Sequence, residues 1–226
     1  MKLRLLALAL SSVLLAGGAQ AQQLASSIPQ PQDVAYPGSI RLDVDATNLS
    51  QRVFRVRETI PVRPGELTLL YPMWIPGGHT PRGAIDHVAG IVFSANGQKL
   101  EWERDTLDVS AFHLVVPEGV SSIVAEFQFL TPTGGSQGRV VMTPNMLNLQ
   151  FISTLLYPAG HDAHRIMFDP HVTYPAGWTA FTALDVESAN GASVDYADVP
   201  IDILADSPVY AGRYAKQFDL TPAGSK

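Results

Sequence analysis

The sequence predicts an all-β fold, an antiparallel β-sandwich, and three observations carry the prediction. Apolar and polar residues alternate with period two, as in Ile40, Leu42 and Val44 against Arg41, Asp43 and Asp45. Turn signals such as Asn96-Gly97, Pro175-Ala176-Gly177 and Asn190-Gly191 punctuate the chain at roughly ten-residue spacing. No stretch carries the apolar period of a long amphipathic helix, and there is no internal repeat.

Taken in order, residues 1–21 read as a secretory signal peptide. Lys2 and Arg4 precede an apolar run from Leu5 to Leu15, and Ala19-Gln20-Ala21 supplies the small-residue cleavage site. That run is too short for a membrane span, so no span is expected, and the product is expected in the periplasm or secreted. Residues 22–37, rich in Gln, Ser and Pro, read as an extended lead-in to a single β-domain over residues 38–226.

Within that domain the first strand is Ile40 to Asp45 and the second runs from Arg52 to Pro61, with Phe54, Val56 and Glu58 on one face. Arg63-Pro64-Gly65 turns the chain into a third strand, Glu66 to Tyr71. Asn96-Gly97 demands positive φ at both central positions of a type I′ turn, so 88–94 and 98–104 are expected to form a hairpin. Residues 109–116 and 122–130, separated by Pro117-Glu118-Gly119-Val120, predict a second hairpin. Thr143-Pro144 has the form of an N-cap followed by proline, which predicts a turn of helix. Strands are expected over Leu147 to Tyr157, His164 to Phe168, His171 to Tyr174, Trp178 to Leu184 and Tyr210 to Leu220.

One stretch resists this pattern. Tyr71-Pro-Met-Trp-Ile-Pro-Gly-Gly-His-Thr-Pro-Arg-Gly83 concentrates proline and glycine around Trp74, His79 and Arg82. Proline removes backbone donors and glycine admits unusual φ, so the segment is a shaped loop. Either it displays those three side chains for contact, or it plugs one end of the sandwich with buried aromatics.

Composition excludes several classes of function. There is no cysteine, hence no disulfide framework, thiolate metal site or cysteine nucleophile. The chain has 15 basic and 21 acidic residues and no basic run, which disfavours nucleic acid as a partner. None of His79, His87, His113, His161, His164 and His171 is followed by Glu, so the H-E-x-x-H helix of a zinc peptidase is absent.

Other chemistry is equally sparse. His161-Asp162-Ala163-His164 offers two imidazoles and a carboxylate, either as metal ligands or as a polar turn. His113, between Phe112 and Leu114, reads as a structural histidine in a strand. No G-x-S-x-G elbow appears, Gly134-Gly135 lacks the lysine of a phosphate loop, and the Asp43/Asp45 and Glu101/Glu103 pairs fit solvated strand faces.

Three separated stretches nevertheless point one way. Tyr71 to Gly83, Gly138-Arg-Val-Val-Met-Thr-Pro-Asn-Met-Leu-Asn-Leu-Gln150 and Leu204-Ala-Asp-Ser-Pro-Val-Tyr-Ala-Gly-Arg-Tyr214 resemble the N-terminal domain of the glycyl aminopeptidase family of exported bacterial metallopeptidases. The resemblance covers essentially all of residues 22–226. It implies a saddle-like β-sandwich lying beside a zinc catalytic domain, with a PDZ domain following in many members. It places the zinc ligands and general base in that catalytic domain, so no catalytic residue, metal or cofactor is assigned to this chain, which is not expected to be active alone. The expected partner is such a zinc peptidase domain, in cis or in trans, with a peptide as a further candidate. Trp74, His79, Arg82, Asp206 and Ser207 are the candidates for interdomain or substrate-cleft contact.

A free-standing periplasmic module that binds peptide or glycan through Trp74, Trp102 and Trp178 is the rival reading. Surface shape separates the two. A domain interface should be a broad apolar patch, and a ligand module should show a concave site with converging polar groups.

Overall fold

The computed structural model describes residues 28–74, 77–134 and 139–220. The signal segment, the start of the lead-in, Ile75-Pro76, residues 135–138 and residues 221–226 lie outside the described residues.

The first half of the chain forms β1 (Ser39–Asp45), β2 (Val53–Pro61), β3 (Gly65–Leu70), β4 (Val88–Ala95), β5 (Gln98–Leu100), β6 (Trp102–Arg104), β7 (Ala111–Val116) and β8 (Ser122–Leu130). The second half adds β9 (Val141–Met142), β10 (Met146–Leu149), β11 (Tyr157–Pro158), β12 (Met167–Thr173), β13 (Thr179–Phe181), β14 (Val186–Asn190), β15 (Ser193–Tyr196), β16 (Val199–Pro200), the short helix α1 (Ile201–Ala205) and β17 (Val209–Gly212). The fold is all-β and sandwich-like, as predicted. A nine-stranded sheet runs β14-β15-β12-β1-β2-β8-β4-β5, with β16 also on β12, and two four-stranded sheets run β13-β17-β10-β9 and β11-β3-β7-β6.

One buried cluster joins all three sheets. Ile40, Leu42, Phe54 and Phe93 enter it from the large sheet, Leu69 and Phe112 from one small sheet, and Leu147, Leu149 and Val209 from the other. Period-two alternation explains the division of faces. On β8 the pattern is strict, with Ile123, Ala125, Phe127 and Phe129 buried between more exposed neighbours.

The Asn96-Gly97 turn forms as expected, with φ of 50° and 77° at its two central residues. The strand beyond it does not continue to Arg104 in one sheet. It breaks at Glu101, so that β5 pairs with β4 and β6 pairs with β7 in another sheet. The second predicted hairpin is not one either: β7 pairs with β3 and β6, whereas β8 pairs with β2 and β4. Residues 117–121 therefore carry the chain between sheets, a distinction that local turn chemistry does not encode.

Thr143-Pro144 starts no helix. Thr143 Oγ1 accepts from the Met146 and Asn145 N–H groups, which closes the β9–β10 turn with the side chain that elsewhere caps a helix. The predicted strand from Leu147 to Tyr157 is interrupted by a 3₁₀ turn at Phe151–Ser153, and a second 3₁₀ turn, Ala163–Arg165, replaces the predicted start at His164. Conversely, β12 runs straight through Asp169-Pro170. Its outer partner changes there from β16 to β15, a place where a strand tolerates proline. The strand expected from Tyr210 to Leu220 ends at Gly212 as β17.

Candidate functional site

The loop after β3 is fastened at its base. Arg82 and Gly83 both donate backbone N–H groups to Met73 O, at 2.7 and 3.0 Å. Gly83 is required there, because a Cβ would lie 2.1 Å from Pro72 O and 2.8 Å from Met73 Cα. Tyr71 anchors the near end: it is 1% exposed and its hydroxyl donates to Ser153 O at 3.3 Å. Burial raises its pKa.

The displayed side chains stand outward. Trp74 is 66% exposed, and His79 and Arg82 are at the surface as well, with Arg82 Nε donating to Thr80 Oγ1 at 3.0 Å. The loop is therefore no aromatic plug, although Tyr71 at its root is buried in the core.

A cavity lies on either side of Gly77-Gly78. One, of about 320 Å³, is lined by Tyr71, Arg82, Phe129, Arg139, Ile152 and Ser153 among others. The second, of about 580 Å³, takes in Trp74, Tyr157, His161, Asp162 and α1 through Ile201, Asp202 and Ala205. The structure thus brings the Tyr71 to Gly83 loop and the neighbourhood of Asp206-Ser207 to one cleft.

Asp206 and Ser207 themselves do different work. Asp206 is exposed at the C-cap of α1. Ser207 is buried, its hydroxyl donates to Ile203 O at 2.8 Å, and its carbonyl accepts from Thr182 Oγ1 at 3.3 Å. Its side chain caps a helix and faces no open surface.

The histidine cluster does not assemble as written in the sequence. His161 Nδ1 bonds Val34 O at 2.8 Å and its ring meets Tyr36 edge-on. His164 instead stands with Asp162 and Asp33, their ligand atoms within 4.8 Å of one another. Arg165 pairs with Asp33, and together with His164 it holds that carboxyl below its usual pKa.

His113 is a satisfied structural histidine, bonded to Thr68 Oγ1 at 3.0 Å and to Asp105 Oδ2 at 2.9 Å. Asp43 and Asp45 are likewise paired, with Arg41 and Arg55. Arg41 also holds Asp169 and Asp195, and its guanidinium with His171 and Ser188 lowers the Asp195 pKa.

Trp102 packs edge-on against Phe93 and Phe112, with ring centroids at 6.0 and 5.4 Å, and Trp178 packs against the core. Of the three tryptophans only Trp74 is largely exposed, so no three-tryptophan platform forms.

An apolar face carries no signal in the sequence pattern. On the β13-β17-β10-β9 sheet, Phe181 and Tyr210 are direct cross-strand partners, 38% and 51% exposed. With Met146 and Tyr214, 50% and 77% exposed, they line a shallow groove of about 330 Å³.

Comparison with protein families decides what kind of domain this is. Residues 41–213 match the family described as the peptidase M61 N-terminal domain. The chain belongs to that family. The match takes in all but the last residue of the three stretches that suggested a metallopeptidase N-terminal domain. No curated protein matches the chain.

Solved structures similar to this M61 N-terminal domain include an aminopeptidase N family protein from Idiomarina loihiensis, 19% identical, with a TM-score of 0.69 over 81% of this chain and 31% of that one. An M1 zinc metallopeptidase from Deinococcus radiodurans, solved as an E323A mutant with a Tyr-Ser-Ala substrate, is 13% identical, with a TM-score of 0.47 over 86% of this chain and 49% of that one. At 19% identity the likeness to the first shows the fold alone. The M61 N-terminal domain spans less than half the length of each.

Proposed function

We propose that this M61 N-terminal domain is a non-catalytic partner of a zinc peptidase domain, forming a scaffold and one wall of its substrate cleft. One observation carries the reading: the apolar groove of Met146, Phe181, Tyr210 and Tyr214 on the outer face of a sheet. Contiguous exposed apolar surface marks an interaction site, and aromatic side chains are the usual anchors of such contacts. The match to a peptidase N-terminal domain supports a peptidase catalytic domain as the neighbour. Trp74, His79, Arg82 and Asp206, exposed on or near the clefted loop, are the proposed cleft-wall residues, with Ser207 bracing the segment behind them. Zinc belongs, in this reading, to the partner domain, and export to the periplasm accompanies it.

Incubating the purified mature chain with zinc and glycyl or alanyl chromogenic amides tests the non-catalytic role. No turnover above buffer is expected. Turnover that a chelator abolishes would overturn the proposal.

A further inference from the structure

We propose that the cavity beneath the Gly77 to Gly83 limb of the loop binds a small organic carboxylate with an apolar body, its charge held by Arg82 and Arg139. The apolar docking groove uses other residues, and Arg82 alone is shared with the proposed cleft wall, so titrating this chain with no catalytic domain present reads the site separately.

Charge makes the first case. The chain has 21 acidic residues against 15 basic, yet among the described residues no acidic side chain lines this cavity and two arginines do. Arg41, Arg55, Arg57 and Arg165 each pair with a carboxylate. Among the described residues Arg82 and Arg139 pair with none, as is also true of Arg52, Arg63, Arg104 and Arg213, but of these six only Arg82 and Arg139 line the cavity, and Arg82 spends only its Nε on Thr80 Oγ1. A guanidinium with free Nη groups at a cavity is suited to bidentate binding of a carboxylate.

Ser153 gives a second, separate indication. It is 8% exposed and lines the cavity. Its backbone carbonyl is occupied by the Tyr71 hydroxyl, while its own hydroxyl makes no hydrogen bond among the described residues. That hydroxyl is not among the fully buried side-chain atoms that lack a partner, so it is open to the cavity and free to bond a group seated there.

Size and lining narrow the ligand class. Phe129, Val140 and Ile152 supply an apolar wall, and about 320 Å³ lies at the small end of ligand sites, which run from about 300 to 1,000 Å³. An apolar wall facing two cations fits an acid carrying a hydrocarbon side chain better than a bare inorganic anion. The two N–H donations to Met73 O, with the close approach at Gly83, fix the Arg82 backbone before any ligand arrives.

Calorimetric titration of the mature chain at low salt tests the site with four probes: N-acetyl-Leu-Leu as free acid, the same dipeptide as C-terminal amide, N-acetyl-leucine and inorganic phosphate. The free acid is expected to saturate and the amide to bind about tenfold more weakly or worse, the scale of a lost charge-assisted hydrogen bond. Arg82→Gln and Arg139→Gln should each weaken the acid by about tenfold and erase its advantage over the amide, with unchanged unfolding midpoints. Ser153→Ala should weaken it by a smaller factor. Tighter binding of the dipeptide than of N-acetyl-leucine assigns the carboxylate to a peptide terminus, and equal binding assigns it to a smaller acid; both support the site. Equal affinity for acid and amide, phosphate binding as tight as the acid, no heat from the acid at millimolar concentration, or an acid affinity untouched by both arginine variants would each overturn it.

Discussion

Glu58→Gln should make the protein more stable at neutral pH and no more stable in acid. Glu58 sits on β2 in line with Phe54, Val56 and Ile60, fully buried, and its cross-strand partners are Leu42 and Ala125. One carboxyl oxygen accepts the Leu156 N–H at 2.8 Å, and the other has no partner. Desolvation with no cation beside it raises the pKa well above 4.5, and the single backbone hydrogen bond offsets this only in part. Below pH 4.5 both folded and unfolded chains hold the proton, so the group adds no pH dependence. Above it the unfolded chain ionises first and binds fewer protons. Stability then falls by about 1.4 kcal/mol for each pH unit until the folded carboxyl ionises too.

Glutamine keeps an acceptor for Leu156 N–H and removes the titration. Urea unfolding of both proteins between about pH 4 and about pH 8, followed by tryptophan fluorescence, isolates the effect, since every other group titrates alike in the pair. The two stabilities should run parallel at acid pH and diverge above pH 4.5 in favour of the variant, by about 1 kcal/mol over the first unit and about 1.4 kcal/mol for each unit beyond it until the folded carboxyl ionises. Glu58→Ala should instead cost about 1–3 kcal/mol in acid, because it orphans the Leu156 N–H, and that cost should shrink above pH 4.5 as the parent loses stability. A constant difference between the parent protein and the Glu58→Gln variant across the range would refute the reasoning.

Gly83→Ala should destabilise the protein by about 1–3 kcal/mol, read as a lower urea midpoint with altered Trp74 emission, since its Cβ has no room beside Pro72 O. Tyr174→Phe should cost about 0.5–1.5 kcal/mol in the same assay, the worth of the buried 2.7 Å hydrogen bond between the Tyr174 and Tyr196 hydroxyls. Zinc titration should give no saturating heat, because Arg165 already engages Asp33 in the Asp33, Asp162 and His164 group; a one-to-one isotherm lost in His164→Ala would refute this.

Much of the fold is written locally. The alternation in β1, β2 and β8 and the Asn96-Gly97 turn are properties of neighbouring residues, and each appears where its pattern stands. Sheet membership is not local. β7 and β8 look like a hairpin but separate into different sheets, and the parallel pairing of β1 with β12 joins residues more than a hundred positions apart. The β14–β15 hairpin is marked only by Asn190-Gly191, because β14 is exposed throughout and carries no apolar alternation.

The site is legible in part for the same reason. Proline and glycine announce the loop, and Trp74, His79 and Arg82 follow from it. Arg139, Gln150 and Ser153 reach the cavity only through tertiary packing, although Arg139 and Gln150 lie in the second stretch that suggested the family. Glu58 shares the face of Phe54 and Val56 in the sequence pattern, and a carboxylate on a core face is the signal that could have found it. Ser207 shows the converse, a polar residue in a promising segment whose hydroxyl is spent on α1.

The most direct measurement is association between purified residues 22–226 and a separately produced M61-type zinc catalytic domain, by sedimentation velocity. A one-to-one complex is expected, weakened by about tenfold or more by Phe181→Ser with Tyr210→Ser and left intact by Arg57→Gln, which lies on another sheet and outside the groove. No complex at micromolar concentration, or a complex indifferent to Phe181 and Tyr210, would contradict the proposed role.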